Sequence, residues 1–88
     1  MILLLEDEVV LCEMVEEFLI SKGFEVFSVD NGDDALEQAM SGKYELFIFD
    51  VKVPLGNGFS ILQELRKYKI ATPAIFTTSL NKIGRAHV

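Results

Sequence analysis

One continuous apolar run that ends in an acid constrains the fold of this chain most. Leu46 to Phe49 are four apolar residues in succession, and Asp50 follows them directly. A run without polar alternation is typical of a strand that is buried on both faces, as in a parallel sheet. Burying a carboxylate beside such a strand costs free energy unless something compensates its charge. The sequence therefore predicts a central strand that delivers one carboxylate to a special site.

Further apolar segments alternate with amphipathic ones along the chain. Strands are expected at residues 2–6, 24–29, 45–50 and 72–78, and helices at residues 10–22, at residues 33–41 and from Asn57 or Gly58 onward. An alternation of strands and helices predicts right-handed crossovers and a parallel sheet with helices on both faces. The expected fold class is therefore α/β, with a doubly wound sheet.

Each helix is expected to bury one apolar face. The residues predicted to be buried are Leu11, Met14, Val15, Phe18 and Leu19 in the first helix, Ala35, Leu36, Ala39 and Met40 in the second, and Phe59, Leu62 and Leu65 in the third. Asp7 or Glu8 is expected to cap the first helix. Gly23 and Gly42 are expected to terminate the first two helices, because glycine adopts the left-handed conformation found there.

The composition excludes several classes of protein. The chain has 88 residues, half of them hydrophobic, so we expect one small globular domain. No apolar run approaches the roughly 20 residues of a membrane helix, which predicts a cytoplasmic protein without membrane contact. The formal net charge of −6 argues against direct contact with nucleic acid, which needs a basic face. Cys12 is the only cysteine, so it is expected to be a structural, half-buried thiol.

The acids that follow the first and third strands are expected to meet. Glu6, Asp7 and Glu8 end the first strand, and Asp50 ends the third. With strand order 2-1-3-4, these strands are neighbours at the point where the order reverses, and sites form there in open parallel sheets. Thr78 would close the fourth strand on the same rim. Clustered carboxylates suit Mg²⁺, and a metal-bound aspartate is a plausible nucleophile toward phosphorus.

Three segments resemble the receiver domain of bacterial two-component response regulators. LLLEDE resembles the acidic pair after the first strand, FDVKVPLGNGF the segment around the phosphoacceptor aspartate, and TPAIFTTSL the fourth strand with its terminal hydroxyl residue. The resemblance runs from Ile2 to about Leu80. It implies a flavodoxin-like fold that takes a phosphoryl group from a sensor histidine kinase or a phosphotransfer protein and switches an output. It implies an acceptor rather than an enzyme.

The resemblance also implies roles for individual acids. Asp50 corresponds to the phosphoacceptor. Mg²⁺ would be held by Glu6, Asp7, Asp50 and the backbone carbonyl of Lys52, with Asp7 a direct ligand and Glu6 acting through water. The family usually has aspartate where Glu6 stands; the longer side chain changes the reach but keeps the charge. The proline and glycines after Asp50 are expected to leave its carboxylate accessible.

Other positions correspond to the family's switch and loop residues. Thr78 would be the hydroxyl that moves toward the phosphoryl group, and Ser79 the small residue that gives access to it. Pro54 and Gly58 would shape the loop that leads into the third helix. Lys52 stands beside the site, where it either points to solvent or partly neutralises the acids.

The resemblance is incomplete at its C-terminal side. The family's fifth strand, its lysine partner of the phosphoryl group and its last two helices have no counterpart, and Lys82 lies too close to Thr78 to replace that lysine. Residues 1–82 are therefore expected to be an incomplete receiver domain. Residues 83–88, IGRAHV, resemble a translated sequencing-adapter read and are expected to be a non-native tail.

An incomplete domain has physical and functional consequences. An open strand edge and a bare sheet face favour association, so the 88-residue chain is expected to be marginally stable or to self-associate. Its phosphorylation is expected to be impaired. The family resemblance leaves a homodimer of a full-length protein open.

Two other functions stay open. One is a phosphohydrolase with an aspartyl nucleophile, a chemistry that usually wants a second acid where Lys52 stands. The other is a receiver-like interaction module that is not phosphorylated, which the retained acids and Thr78 disfavour. Taken singly, the acids could also be helix caps or turn residues.

Overall fold

Four apolar segments pair as parallel strands, and three amphipathic segments cover both faces of the resulting sheet. The computed structural model describes residues 1–78. In chain order, the elements are β1 (Ile2–Leu5), α1 (Val9–Ser21), β2 (Val26–Val29), α2 (Gly32–Ala39), β3 (Leu46–Asp50), β4 (Lys52–Val53), β5 (Gly56–Asn57), α3 (Gly58–Lys67) and β6 (Ala74–Thr77). Ser79, Lys82 and the expected tail at 83–88 lie outside the described residues.

The sheet order is β2-β1-β3-β6. All three pairings are parallel, and the register places Leu5 beside Phe49 and Asp50 beside Thr77. Because β6 is the fourth long strand, this order confirms the predicted 2-1-3-4 arrangement and the flavodoxin-like α/β class. The order reverses between β1 and β3, so the acids that follow these two strands share one rim.

The central strand β3 is buried on both faces, as its apolar run predicts. Phe47 and Phe49 face α2 and α3, and their rings stack with centroids 5.0 Å apart. Ile48 points to the opposite face, where it packs with Ile2 and Leu4 beneath α1. Each of these buried side chains contributes about 1.5–3 kcal/mol of hydrophobic stabilisation. This packing fixes the end of β3, and with it the position of Asp50.

Two predicted core residues of α1 are exposed. Met14 and Phe18 are each 60% exposed, so their assignment to the core was wrong. Val15 and Leu19 are half-buried against the sheet, and Leu11 is half-buried as well. Within residues 1–78, α1 is the one helix on this sheet face. The flank of its apolar stripe therefore has no second helix to pack against.

Met40 and Phe59 were also wrongly predicted to be buried. Met40 is 41% exposed because it lies just past the last residue of α2, where its side chain leaves the helix face. Phe59 is 51% exposed near the start of α3, although its ring contacts Phe76 with centroids 4.4 Å apart. The deeper positions of both helices, Ala39 and Leu65 among them, are buried as expected.

The ends of α1 and α2 follow the glycine signals. Gly23 and Gly42 adopt φ angles of 91° and 78°, which confirms them as terminators. Phe24 donates its N–H to the carbonyl of Leu19 at 3.1 Å and so belongs to the turn that closes α1. For this reason β2 begins at Val26, two residues later than predicted.

Residues 52–57 form a short antiparallel hairpin that the sequence did not predict. Lys52 pairs with Asn57 and Val53 with Gly56, while Leu55 in the turn adopts a left-handed φ of 57°. The sequence indicated only a loop here, because strands of two residues carry no periodicity. The hairpin places Val53 in the core and Asn57 at the start of α3.

Candidate functional site

Glu6, Asp7 and Asp50 converge at the carboxyl ends of β1 and β3. Each offers one carboxylate oxygen, and these oxygens all lie within 4.8 Å of one another. The sequence predicted this convergence from the strand order. Glu8 is the N-cap residue of α1, but its side chain makes no capping hydrogen bond; its backbone N–H instead donates to Oε2 of Glu6 at 3.0 Å. The bond orients Glu6 on the rim.

The three carboxylates differ in burial. Asp50 is 0% exposed and Glu6 is 4% exposed, whereas Asp7 is exposed to solvent. Burial raises the pKa of Glu6, and the nearby charges of Asp50 and Asp7 add to the rise, while the hydrogen bond from Glu8 opposes it. The rim therefore concentrates negative charge that a cation would stabilise.

The donor set fits Mg²⁺ by its chemistry. All three groups are hard carboxylate oxygens, the ligands that Mg²⁺ prefers. Two ligands of one Mg²⁺ stand at most about 4.2 Å apart, since each bond is about 2.1 Å long. The oxygens lie within 4.8 Å of one another, close to this limit. Which of the acids binds directly and which through water stays a prediction.

The loop after Asp50 is held to the end of β3 by contacts of its backbone. Lys52 donates its N–H to Oδ1 of Asp50 at 3.3 Å, and Gly58 donates its N–H to the carbonyl of Val51 at 2.8 Å. A Cβ on Gly58 would lie 2.6 Å from the carbonyl oxygen of Asp50, so only glycine fits. Pro54 stands at the exposed turn of the hairpin. These contacts support the loop-shaping assignments, which stay predictions.

Thr78 lies just beyond β6 rather than inside it. The strand ends at Thr77, which pairs with Asp50 and accepts the N–H of Val51 at 3.1 Å. Thr78 is the next residue and is exposed. It therefore follows the strand that neighbours Asp50, while its switch role stays a prediction. Ser79 lies outside the described residues.

The expectation of an accessible Asp50 carboxylate was wrong for this conformation. The side chain has no exposed surface. The hairpin, the Gly58 contact and the end of β6 surround the backbone at the end of β3. A reagent that reacts at this carboxylate therefore needs a conformation in which the side chain is exposed.

A cleft of about 450 Å³ lies beside the acids, between the start of α1 and the end of β2. Cys12, Glu16, Phe27 and Ser28 are among its lining residues, and Ser28 donates its hydroxyl to Glu16 at 2.5 Å. Burial raises the pKa of the half-buried Cys12 thiol, which agrees with a structural cysteine. The sequence did not predict this cleft, because its shape depends on how α1 packs against β2.

The family model described as the response regulator receiver domain matches residues 2–87. The chain therefore belongs to the receiver domain family of response regulators, the signal-receiving part of two-component systems. No helix within residues 1–78 has both the length and the apolarity needed to cross a membrane.

Individual relatives support this assignment. The transcriptional regulatory protein CrdR of Helicobacter pylori is 40% identical over 80 residues, which cover 90% of this chain and 38% of that protein. The probable transcriptional regulator ycf29 of Pyropia yezoensis is 38% identical over 80 residues, which cover 89% of this chain and 36% of that protein. The chain thus spans little more than a third of these relatives.

A solved structure shows the same fold. The response regulator protein TrrA of Thermotoga maritima, crystallised in complex with Mg²⁺ and BeF, superimposes with a TM-score of 0.81 at 35% identity. The match covers 88% of this chain and 67% of that chain.

Proposed function

We propose that Asp50 accepts a phosphoryl group in a Mg²⁺-dependent reaction and that this chain is the acceptor part of a response regulator. The observation that carries the proposal is the convergence of Glu6, Asp7 and Asp50 within 4.8 Å at the point where the strand order reverses. The TrrA structure supports the choice of Mg²⁺ and of a phosphoryl group as ligands, because that protein was crystallised in complex with Mg²⁺ and BeF.

The proposed reaction is a transfer onto the carboxylate of Asp50. A carboxylate oxygen of Asp50 attacks phosphorus, the bond between phosphorus and the donor nitrogen breaks, and its electron pair stays on the donor imidazole. The product is an acyl phosphate on Asp50. The backbone N–H of Lys52 donates to Oδ1 of Asp50 and so helps to orient the carboxylate.

Mg²⁺, held by Glu6, Asp7, Asp50 and the carbonyl of Lys52, would supply charge neutralisation and orient the phosphoryl oxygens. The acids of the rim keep their positions through the strands that carry them. Thr78, at the exposed end of the neighbouring strand, would hydrogen-bond the transferred group and report its presence.

The proposed donor is a sensor histidine kinase or a phosphotransfer protein, and the proposed output is transcriptional. The two relatives named above are transcriptional regulators, and the chain matches 36% and 38% of their lengths. The acidic balance of this domain assigns any DNA contact to another part of such a protein. A homodimer of the longer protein belongs to the same proposal.

The test is phosphorylation of the wild type and of Asp50→Asn by acetyl phosphate with Mg²⁺, followed by intact-mass measurement. At least part of the wild-type protein should gain one phosphoryl group per chain, and only when Mg²⁺ is present. Asp50→Asn should gain none, because the amide is a poor nucleophile. Asp33→Asn is the matched control, since Asp33 is an exposed acid in the first turn of α2, on the same end of the sheet. Its labelling should equal that of the wild type.

The mass measurement, together with an assay of phosphate release, separates the other two functions. Continuous release of phosphate from varied phosphomonoesters would favour an aspartyl phosphohydrolase. Folded wild type without any Mg²⁺-dependent adduct would favour an interaction module and overturn the proposal.

A further inference from the structure

Gly32, the first residue of α2, touches the hairpin that follows Asp50. Its N–H donates to the carbonyl of Pro54 at 2.9 Å. A Cβ built on Gly32 would lie 2.1 Å from the carbonyl oxygen of Leu55 and 2.9 Å from the Cα of Gly56. Both obstacles are backbone atoms, so rotation of a side chain cannot relieve the overlap.

The backbone conformation of Gly32 does not explain why glycine stands there. Among the described residues, the glycines with positive φ are Gly23 and Gly42, so Gly32 has a conformation that any residue adopts. Glycine is a poor helix residue compared with alanine. The close approach of the hairpin is therefore the physical reason for a glycine at the start of α2.

The hairpin transmits this contact to the candidate site. Val53 pairs with Gly56, and Lys52 pairs with Asn57, so the turn at Leu55 is only three residues from Lys52. At its other end the hairpin is fixed by the bond from Gly58 to the carbonyl of Val51. A side chain at position 32 would push the Leu55 carbonyl by roughly 1 Å to reach ordinary contact distance. In so short a hairpin, the shift reaches Lys52.

We propose that Gly32 is a positioning residue for the Mg²⁺ site, acting through the hairpin on the backbone carbonyl of Lys52. The inference rests on the proposed function, because the Lys52 carbonyl is a ligand only there. Mg²⁺ demands near-ideal octahedral geometry, with bond lengths held to about 0.2 Å. A displaced carbonyl therefore weakens Mg²⁺ binding even when all three carboxylates remain in place.

The test compares Gly32→Ala with Ala39→Gly in the 88-residue chain. Ala39 is buried near the end of α2 and belongs to the core, away from the hairpin turn. Its replacement destabilises the same helix without crowding Leu55. Urea unfolding measures the stability of both variants, calorimetric titration measures their Mg²⁺ affinity, and amide hydrogen exchange without Mg²⁺ reports the Gly58 bond.

Gly32→Ala should weaken Mg²⁺ binding by about tenfold or more, the usual effect of losing support behind a ligand. It should also speed exchange of the Gly58 amide in the Mg²⁺-free protein. Ala39→Gly should leave both properties close to wild type at comparable stability. Adding Leu55→Gly to Gly32→Ala should restore part of the affinity, because a glycine turn can readjust.

If Gly32→Ala does not fold, Gly56→Ala can replace it. The Cβ of this variant would lie 3.0 Å from the Cα of Gly32, so it crowds the same contact with a smaller overlap. It should weaken Mg²⁺ binding in the same direction. The inference would be overturned, and the proposed function left standing, if Gly32→Ala or folded Gly56→Ala kept the Mg²⁺ affinity and the Gly58 amide exchange of the wild type. Equal losses of Mg²⁺ affinity in Ala39→Gly would overturn it in the same way. A wild type without Mg²⁺ affinity would overturn the proposed function as well.

Discussion

At the scale of single residues, three carboxylates on one rim are held in different ways. Asp50 and Glu6 are buried and fixed by hydrogen bonds from Lys52 and Glu8, whereas Asp7 is exposed. The buried pair supplies fixed geometry, and the exposed acid can exchange between water and a cation. Such a division suits a site that must bind Mg²⁺ reversibly, because an entirely buried set would exchange ions slowly.

Tyr44 is a titratable residue that lies far from this rim. It is buried, and its hydroxyl donates to Oε1 of Gln38 at 2.9 Å. Burial raises the pKa of Tyr44 above its ordinary value of about 10. The folded protein then keeps this proton at pH values where the unfolded chain has lost it. The stabilising contribution is therefore complete below pH about 10 and is lost as the pH rises through the folded-state pKa.

The measurement follows tyrosinate absorbance in a Tyr68→Phe background, which leaves Tyr44 as the only tyrosine. Urea unfolding at increasing alkaline pH should show stability falling together with the absorbance change. In Tyr44→Phe this component of the pH dependence should disappear. Titration of Tyr44 at the ordinary value in the folded protein would contradict the expectation.

At the scale of elements, the start of α3 is connected to the hairpin that follows Asp50. The side chain of Asn57 accepts the N–H groups of Phe59 at 2.8 Å and of Ser60 at 3.3 Å. The same residue pairs with Lys52 across the hairpin. Asn57 thus caps the helix with its side chain, and its backbone pairs with the strand that carries a proposed ligand.

Asn57→Ala should lower the free energy of unfolding by about 1 kcal/mol, the usual cost of losing an N-cap. Two amides of the first turn lose their acceptor, and burial elsewhere is unchanged. Urea unfolding measures the loss. Asn57→Asp keeps an acceptor oxygen at the cap and should retain most of the stability; an equal loss in that variant would show that capping is not the cause.

The sequence predicted elements where one signal dominates. The apolar run of β3 and its terminal acid predicted both a central strand and Asp50 on the rim. The alternation of segments predicted a parallel sheet, and the order 2-1-3-4 was expected because it is common in such sheets. The hairpin at residues 52–57 was missed, because it is held by contacts from Gly32 and Gly58 that no local pattern encodes. Exposure of Met14 and Phe18 was missed because a helical stripe shows which face is apolar, not how much of it another element covers.

At the scale of the whole molecule, charge is separated along the strand direction. Acids gather at the carboxyl ends of the strands, where the described residues place Glu6, Asp7, Glu8, Asp30, Asp33, Asp34 and Asp50. Five of the six lysines and arginines in residues 1–78 lie near the opposite ends of the strands: Lys22, Lys43, Arg66, Lys67 and Lys69. The separation is incomplete, because Lys52 lies at the rim and Glu25 and Glu45 lie near the bases. The resulting field draws cations toward the rim, and salt screens it over about 8–10 Å.

The apolar surface is uneven as well. Met14 and Phe18 on α1 are each 60% exposed, and Ile75 on β6, which pairs with Ile48 of the α1-covered face, is 52% exposed. Exposed apolar side chains beside an edge strand favour association. We expect the 88-residue chain to self-associate with increasing concentration.

Sedimentation velocity across a concentration series measures this association. Phe18→Gln combined with Ile75→Thr should shift the distribution toward monomer. Phe59→Gln is the control, because Phe59 is 51% exposed on the other sheet face. Its replacement should leave the sedimentation distribution unchanged. A wild type that stays monomeric, with a melting temperature independent of concentration, would contradict this expectation.

The complete burial of Asp50 makes the proposed phosphoryl transfer a gated reaction. Only molecules in which the Asp50 carboxylate has become exposed present a nucleophile, so the apparent affinity for a donor falls by the exposed fraction. At saturating donor the rate would reach a ceiling set by this exposure rather than by the leaving group. A kinase that stabilises the exposed state would then accelerate transfer beyond what a small phosphodonor achieves, by selecting a rare conformation of its substrate.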